Sequence, residues 1–152
     1  MATGWPSRIL SITALLAFLY SLNRPWVSAV AAEVVLHYKP WEVLDGMAHS
    51  DWAPLERVSE FLRQTPQAVA TFLLHFSLLV VALILGSLSI ITNSAGGYAS
   101  SAALIMMSAA LLVYTMEQVQ PDRYAIGSGT FLALASAVLY IVAALPLIRR
   151  RS

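Results

Sequence analysis

The chain has 152 residues, of which 59% are hydrophobic and only 11% are charged. Because a soluble domain usually carries about 25% charged residues, and a globule of this size buries only about two-thirds of its chain surface, an ordinary soluble fold is excluded. A net charge of +1 argues against a nucleic-acid partner, and the absence of cysteine excludes disulfides, thiolate metal sites and thiol redox chemistry.

Four apolar segments are long enough to cross a bilayer, which takes about 20 residues. The predicted spans lie at about residues 6–23, 66–91, 98–116 and 124–148. Pro6 and Pro66 fit a first helical turn, where a missing N–H costs nothing. Trp5 and Trp26 flank the first span, where interfacial aromatic residues are common. We therefore expect an all-α membrane protein, with residues 1–152 forming a single four-helix bundle.

Charge placement predicts that both termini are cytoplasmic. The short C-terminal flank contains Arg149, Arg150 and Arg151 and no acidic residue, and such flanks carry most weight in the positive-inside rule. All of the Asp and Glu residues then fall on the opposite side. The protein is accordingly expected in a prokaryotic plasma membrane, with its first connection, residues 25–64, extracytoplasmic.

That first connection is too long to be structureless, and we expect a small cap on the outer ends of the helices. Its Val-rich part, residues 27–48, fits either short strands or a helix, and periodicity does not decide between them. As a strand, it would turn Val34, Leu36 and Tyr38 to one side. Residues 52–64 predict an amphipathic helix whose apolar face consists of Leu55, Val58, Phe61 and Leu62.

The order of these segments carries a family resemblance. A Pro-Trp-Val-Ser segment at residues 25–28 follows the first span, and a second aromatic and glycine segment occupies residues 41–46. Three closely spaced helices and an Arg-rich tail complete the chain. In this layout the chain resembles the small tetraspan membrane proteins with a claudin-like topology, although it has no cysteine. The resemblance implies a left-handed four-helix bundle and allows a small extracytoplasmic sheet.

His75 is the candidate for intramembrane chemistry. It is the one strongly polar side chain, hydroxyls aside, deep within a predicted span, and ionisable groups are costly there. One interpretation is structural, with the imidazole hydrogen-bonded to a neighbouring helix near the outer interface. The other is a ligand for haem or a chlorin, or a proton relay. A bis-histidine haem needs a second membrane histidine, whereas His37 and His49 both lie in the first connection.

A candidate metal site lies in the same connection. Imidazole and carboxylate groups together suit a divalent metal such as zinc or copper. The side chains concerned are Glu33, His37, Asp45, His49 and Asp51. Their spacing matches no recognised metal motif, and such residues are also ordinary on a solvated loop.

Two further pairs have a structural and a functional interpretation. Glu117 and Arg123 flank the third connection, where they predict a salt bridge that closes the hairpin, or else part of an ion path. Met106 and Met107 are expected to be packing residues rather than soft-metal ligands.

Small and aromatic residues indicate association surfaces. Small residues at four-residue spacing permit close helix approach, within the bundle or between subunits. They are Ala82 and Gly86 in the second span and Gly129, Ala133 and Ala137 in the fourth. Aromatic residues of the cap that suit a protein partner are Trp41, Trp52 and Phe61.

The chain contains no nucleophile–base set, phosphate-cradling glycine loop or paired intramembrane acid, so catalysis is not supported. The sequence predicts a non-catalytic accessory, assembly or scaffolding subunit of a larger membrane complex, without a resident cofactor. Its partners would be the lipid bilayer and either other membrane subunits or its own copies. One alternative is a homo-oligomeric channel or small transporter whose path is lined by Glu117 and His75. A second is an electron-transfer or pigment subunit that binds its cofactor through His75.

Overall fold

The structure is a computed structural model that describes residues 5–149. In chain order its elements are α1 (Trp5–Leu22), β1 (Val27–Ala31), β2 (Val34–Tyr38), α2 (Pro40–Ala48), α3 (Ala53–Leu62), α4 (Pro66–Thr92), α5 (Ala95–Val119), β3 (Arg123–Ile126) and α6 (Ser128–Ile148). Helices α1, α4, α5 and α6 are each long and apolar enough to cross a membrane. The predicted fold class, a four-helix membrane bundle with a structured first connection, is confirmed.

The four long helices pack in a closed order around one core. Helix α5 packs against α4 and α6, α6 packs against α1, and α1 makes a smaller contact with α4. The middle of the bundle is filled by Leu79 and Ile105, whose side chains have no exposed surface. This apolar layer separates the polar groups near the two ends of the bundle.

The segment of residues 27–48, for which strands and a helix were both open, contains both: its first part forms β1 and β2, and its last part forms α2. Strands β1 and β2 are antiparallel, with Val27 opposite Tyr38 and Ala31 opposite Val34. Leu36 and Tyr38 are buried against the bundle, whereas Val35 and His37 are exposed, as expected for a strand with one covered face. The two-residue turn, Ala32 and Glu33, has positive φ angles of 47° and 69°.

A third strand comes from the connection between α5 and α6. Strand β3 pairs with β1, placing Val27 opposite Ile126, and the sheet order is β2-β1-β3. The fourth helix therefore begins at Ser128, four residues later than the sequence suggested. Tyr124, Ala125 and Ile126 extend the apolar pattern of the following helix. They form a strand because they pair with β1, which is distant in the sequence. We call residues 25–64 together with β3 the cap.

The second part of the first connection contains two short helices. Helix α3 is the predicted amphipathic helix, and it buries Val58, Phe61 and Leu62. Helix α2 lies close to the start of α3 at Gly46, where an added Cβ would be 2.5 Å from the carbonyl oxygen of Asp51 and 3.3 Å from Cγ of Pro54. The two helices thus form a compact pair beside β2.

Candidate functional site

His75 lies in a fully enclosed polar site where the cap meets the bundle. Its imidazole has no solvent-exposed surface. Nδ1 is 2.7 Å from the carbonyl oxygen of Ser108 on α5, and Nε2 is 3.0 Å from the hydroxyl oxygen of Tyr38 on β2. The ring on α4 therefore connects a neighbouring helix and the sheet. The sequence-based expectation of a bond to a neighbouring helix is met, whereas the bond to Tyr38 was not foreseen.

The partners of His75 define its tautomer. A carbonyl oxygen only accepts, so Nδ1 carries the proton and donates it to Ser108. In the neutral ring Nε2 is then an acceptor, and the Tyr38 hydroxyl donates to it. The Ser108 hydroxyl, 2.9 Å from Nδ1, donates to the His75 carbonyl oxygen. Every polar atom of this buried set therefore has a partner.

Aromatic rings enclose this hydrogen-bonded set. Trp26 and Tyr38 meet the His75 ring edge-on, with centroids 5.7 Å and 5.6 Å away, and Phe72 lies 5.7 Å from it. We call Trp26, Tyr38, Phe72, His75 and Ser108 the cap-end cluster. Burial raises the pKa of Tyr38, so its hydroxyl stays a donor.

Trp26 anchors the cap to two helix ends. Its indole N–H donates to the Ser21 carbonyl oxygen at the end of α1. Its own carbonyl oxygen accepts from the Gly127 N–H and the Thr130 hydroxyl, both at 2.8 Å. Gly127 directly precedes α6 and Thr130 lies in its first turn, so both bonds attach the start of α6 to Trp26. Trp26 was expected at the bilayer interface, but it is completely buried.

The geometry around His75 favours its structural role over a cofactor site. Metal centres use an imidazole nitrogen with a free lone pair, most often Nε2. That lone pair accepts the Tyr38 hydroxyl, and three aromatic rings pack around the imidazole. A haem or chlorin at this position would have to displace the cap from the bundle. The residues present therefore do not fit such a group.

The predicted metal ligands are dispersed over the cap surface. Glu33 lies exposed at the tip of the β1–β2 hairpin, and His37 pairs with the Ser28 hydroxyl at 2.9 Å. Because the segment is a hairpin and not a helix, Glu33 and His37 are not neighbours on one helical face. Within residues 5–149 no group of three His, Asp or Glu side chains is placed to hold a metal ion.

The remaining three candidate ligands lie near the α2–α3 turn. The His49 ring is 3.3 Å from the Asp45 carboxylate, one helical turn earlier. Asp51 instead accepts from the Ala53 N–H at the start of α3. These contacts stabilise the turn between the two helices.

Glu117 accepts a short hydrogen bond from the Tyr124 hydroxyl, which connects α5 to β3. This bond raises the pKa of Tyr124. The predicted salt bridge with Arg123 does not form, since it is the neighbouring strand residue, Tyr124, that reaches the Glu117 carboxylate. Met106 and Met107 are both partly exposed on the outer face of α5.

The predicted partner-binding residues divide into two groups. Trp41 and Trp52 are 41% and 49% exposed on the cap, as a docking surface requires. Phe61 is buried beneath α3, so it holds the cap together. The stripe formed by Gly129, Ala133 and Ala137 is also buried, because α6 uses it to pack within the bundle. Because they are buried, these residues are not available to a second subunit: Phe61, Gly129, Ala133 and Ala137.

A second polar group, the tail-end cluster, lies beyond the apolar middle layer. Tyr98 donates to Asn93 and accepts from Ser11, at 3.0 Å and 3.1 Å. The stacked Tyr140 ring completes the cluster, and its buried hydroxyl has no hydrogen-bond partner in the described part of the chain. Gly86 makes room for that hydroxyl, since an added Cβ would lie 2.5 Å from it. Ala82 and Gly86 thus also serve packing within the bundle.

Sequence reasoning missed four of the five members of the cap-end cluster: Trp26, Tyr38, Phe72 and Ser108. The one available signal was the Pro-Trp pair after the first span, since a tryptophan there can pack into a helix end.

Comparisons of the chain with protein-family models, curated proteins and solved structures find no match.

Proposed function

We propose that this chain is a non-catalytic accessory or assembly subunit of a larger membrane complex, with an extracytoplasmic cap that docks a partner. The observation that carries the proposal is the fixed attachment of the cap. The bond between Tyr38 and His75 and the Trp26 bonds to two helix ends hold the cap in one orientation. Because the cap is held rigidly before it meets a partner, less conformational entropy is lost on binding, and such preorganisation increases affinity.

The exposed face of the cap supports a protein partner. Trp41 and Trp52 are half exposed outside the four long helices, and tryptophan is enriched among residues that dominate binding energy. The polar groups of the site around His75 are engaged with one another, which leaves none free for catalysis there. The Arg-rich tail supports a cytoplasmic C-terminus and hence an outward cap in a prokaryotic plasma membrane. The layout also supports a relation to small tetraspan proteins of claudin-like topology.

The test is purification of the tagged full chain in a mild detergent, with its mass and accompanying proteins measured. We expect a particle larger than one chain that contains a defined partner. Changing both Trp41→Ala and Trp52→Ala should reduce recovery of the partner several-fold. Trp5→Ala is the matched control, because Trp5 is an exposed tryptophan at the start of α1, the end of that helix opposite the cap. A monodisperse, solitary monomer would contradict the proposal.

A further inference from the structure

We propose that the cap binds an extended peptide segment of a partner protein, which adds as a fourth strand to the free edge of β2. This inference deepens the proposed function, on which it rests, by giving the mode of docking. Added strands gain affinity from main-chain hydrogen bonds and specificity from alternate side chains. The structure offers both features at one cleft beside β2.

The first argument is that β2 has a free edge. The sheet order β2-β1-β3 leaves β2 with a strand neighbour on one side only. Outside the sheet ladder, no backbone hydrogen bond in the described chain reaches Val35 or His37. The backbone groups on this edge are therefore unpaired within the described chain.

The second argument concerns which peptide groups point outward. Ala31 and Val34 flank a two-residue turn, so they exchange both of their hydrogen bonds across the hairpin. Because ladder pairs alternate, Leu36 and Tyr38 also turn their peptide groups toward β1. Val35 and His37 then direct theirs away from β1. These two residues present two donors and two acceptors, spaced as an incoming strand requires.

The third argument is a cleft of about 270 Å³ between β2 and the α2–α3 pair. All residues from Val35 to Lys39 line it on one side. Since neighbouring strand residues face opposite sides of a sheet, a wall of consecutive residues means that the strand edge borders the cleft. The opposite wall is formed by Glu42, Val43, Pro54, Arg57 and Val58.

The lining also defines the chemistry of the occupant. Val43 and Val58 form an apolar floor for alternate side chains of the added strand. Glu42 is already engaged, with its carboxylate 3.4 Å from the Lys39 ammonium group. Arg57 forms no ion pair with any residue in the described range. The peptide should therefore alternate apolar residues with an acidic residue that meets Arg57.

The test uses the full chain in lipid nanodiscs and a fluorescent peptide, acetyl-Thr-Val-Glu-Val-Thr-amide. We expect saturable binding and slower amide hydrogen exchange at Val35 and His37. N-methylation of the peptide at alternate backbone positions keeps its side chains but removes the bonding groups, and it should weaken binding about tenfold or more. A lack of saturable binding, or equal binding of the methylated peptide, would overturn the proposal.

Variants of the protein sharpen this result. Val35→Pro removes an outward donor without touching the bonds to β1 and should also weaken binding about tenfold, whereas Val35→Thr retains the donor and should bind normally. Arg57→Glu should lose the acidic peptide and gain a version with Lys in place of Glu. If Val35→Pro does not fold, the methylated peptide provides the same test.

The two proposals fail separately. A chain that co-purifies with a partner but ignores the peptide would overturn only the strand-addition mode. A chain that purifies alone would overturn the accessory function.

Discussion

The two polar clusters of the bundle differ in how completely their hydrogen bonds are satisfied. In the cap-end cluster, His75 has a partner at each ring nitrogen, and these partners come from a different helix and from the sheet. In the tail-end cluster, the buried hydroxyl of Tyr140 has no partner among the described residues. Buried polar groups specify a unique arrangement only when they are satisfied. Hydrogen bonds therefore account for every polar side chain of the cap-end cluster, whereas Tyr140 in the tail-end cluster is held by packing.

The largest expected effect comes from crowding the cap end. An added Cβ at Gly129 would lie 2.5 Å from Trp26 Cδ1 and 2.7 Å from the Arg24 carbonyl oxygen. Because backbone must move, Gly129→Ala should lower the free energy of unfolding by about 3 kcal/mol. Gly96→Ala is the control, since its nearest atom is 3.9 Å away and no loss is expected. Thermal unfolding in detergent measures both, and equal stability of the two variants would contradict this packing.

A smaller loss is expected when a hydrogen bond is removed from the cap-end cluster. Tyr38→Phe leaves Nε2 of His75 buried without a donor, which should cost about 1–2 kcal/mol of unfolding free energy. Tyr20→Phe provides a matched control, because Tyr20 is exposed on α1. The same unfolding measurement applies. A loss no larger than that of the control would show that the bond does not stabilise the cap.

The pH dependence of stability tests the same cluster. Since burial raises the pKa of Tyr38, the unfolded chain releases this proton before the folded protein does. The stabilisation is therefore complete below the ordinary tyrosine pKa of about 10 and is lost as pH rises toward the higher folded value. Melting temperatures should fall between about pH 9 and 11, and less steeply in Tyr38→Phe. Parallel curves for the two proteins would contradict this.

The smallest effect is predicted at the tail end. Tyr140→Phe removes a buried hydroxyl that has no partner in the described chain, so stability should change by less than about 0.5 kcal/mol or rise. A loss as large as that of Tyr38→Phe would mean that the Tyr140 hydroxyl does form a stabilising hydrogen bond. The comparison of these two Tyr→Phe variants separates the two ends directly.

The sequence alone predicted the four long helices and the amphipathic helix α3, because their patterns are local. Strand β1 was ambiguous, since its Val-rich pattern also fits a helix. Strand β3 was missed because Tyr124 and Ile126 extend the apolar run of the following helix. The pairing of β1 with β3 joins residues about 100 positions apart, and no local pattern encodes such a contact.

The candidate site was predictable only in part. His75 stood out because an imidazole is costly within a membrane span. Its partner Tyr38 lies 37 residues away in a segment whose secondary structure was undecided, so their bond was not predictable. The ligand hypothesis for Glu33 and His37 depended on a helical spacing that the hairpin does not have. Tertiary contacts decided each of these outcomes.

The most direct test of the account is a double-mutant cycle between Tyr38→Phe and His75→Leu. Each single change leaves a buried polar atom without its partner, whereas the double variant removes both groups. We predict that the double variant loses less unfolding free energy than the sum of the two single losses, by about 1 kcal/mol or more. Losses that add within about 0.5 kcal/mol would contradict the claim that this bond fixes the cap to the bundle.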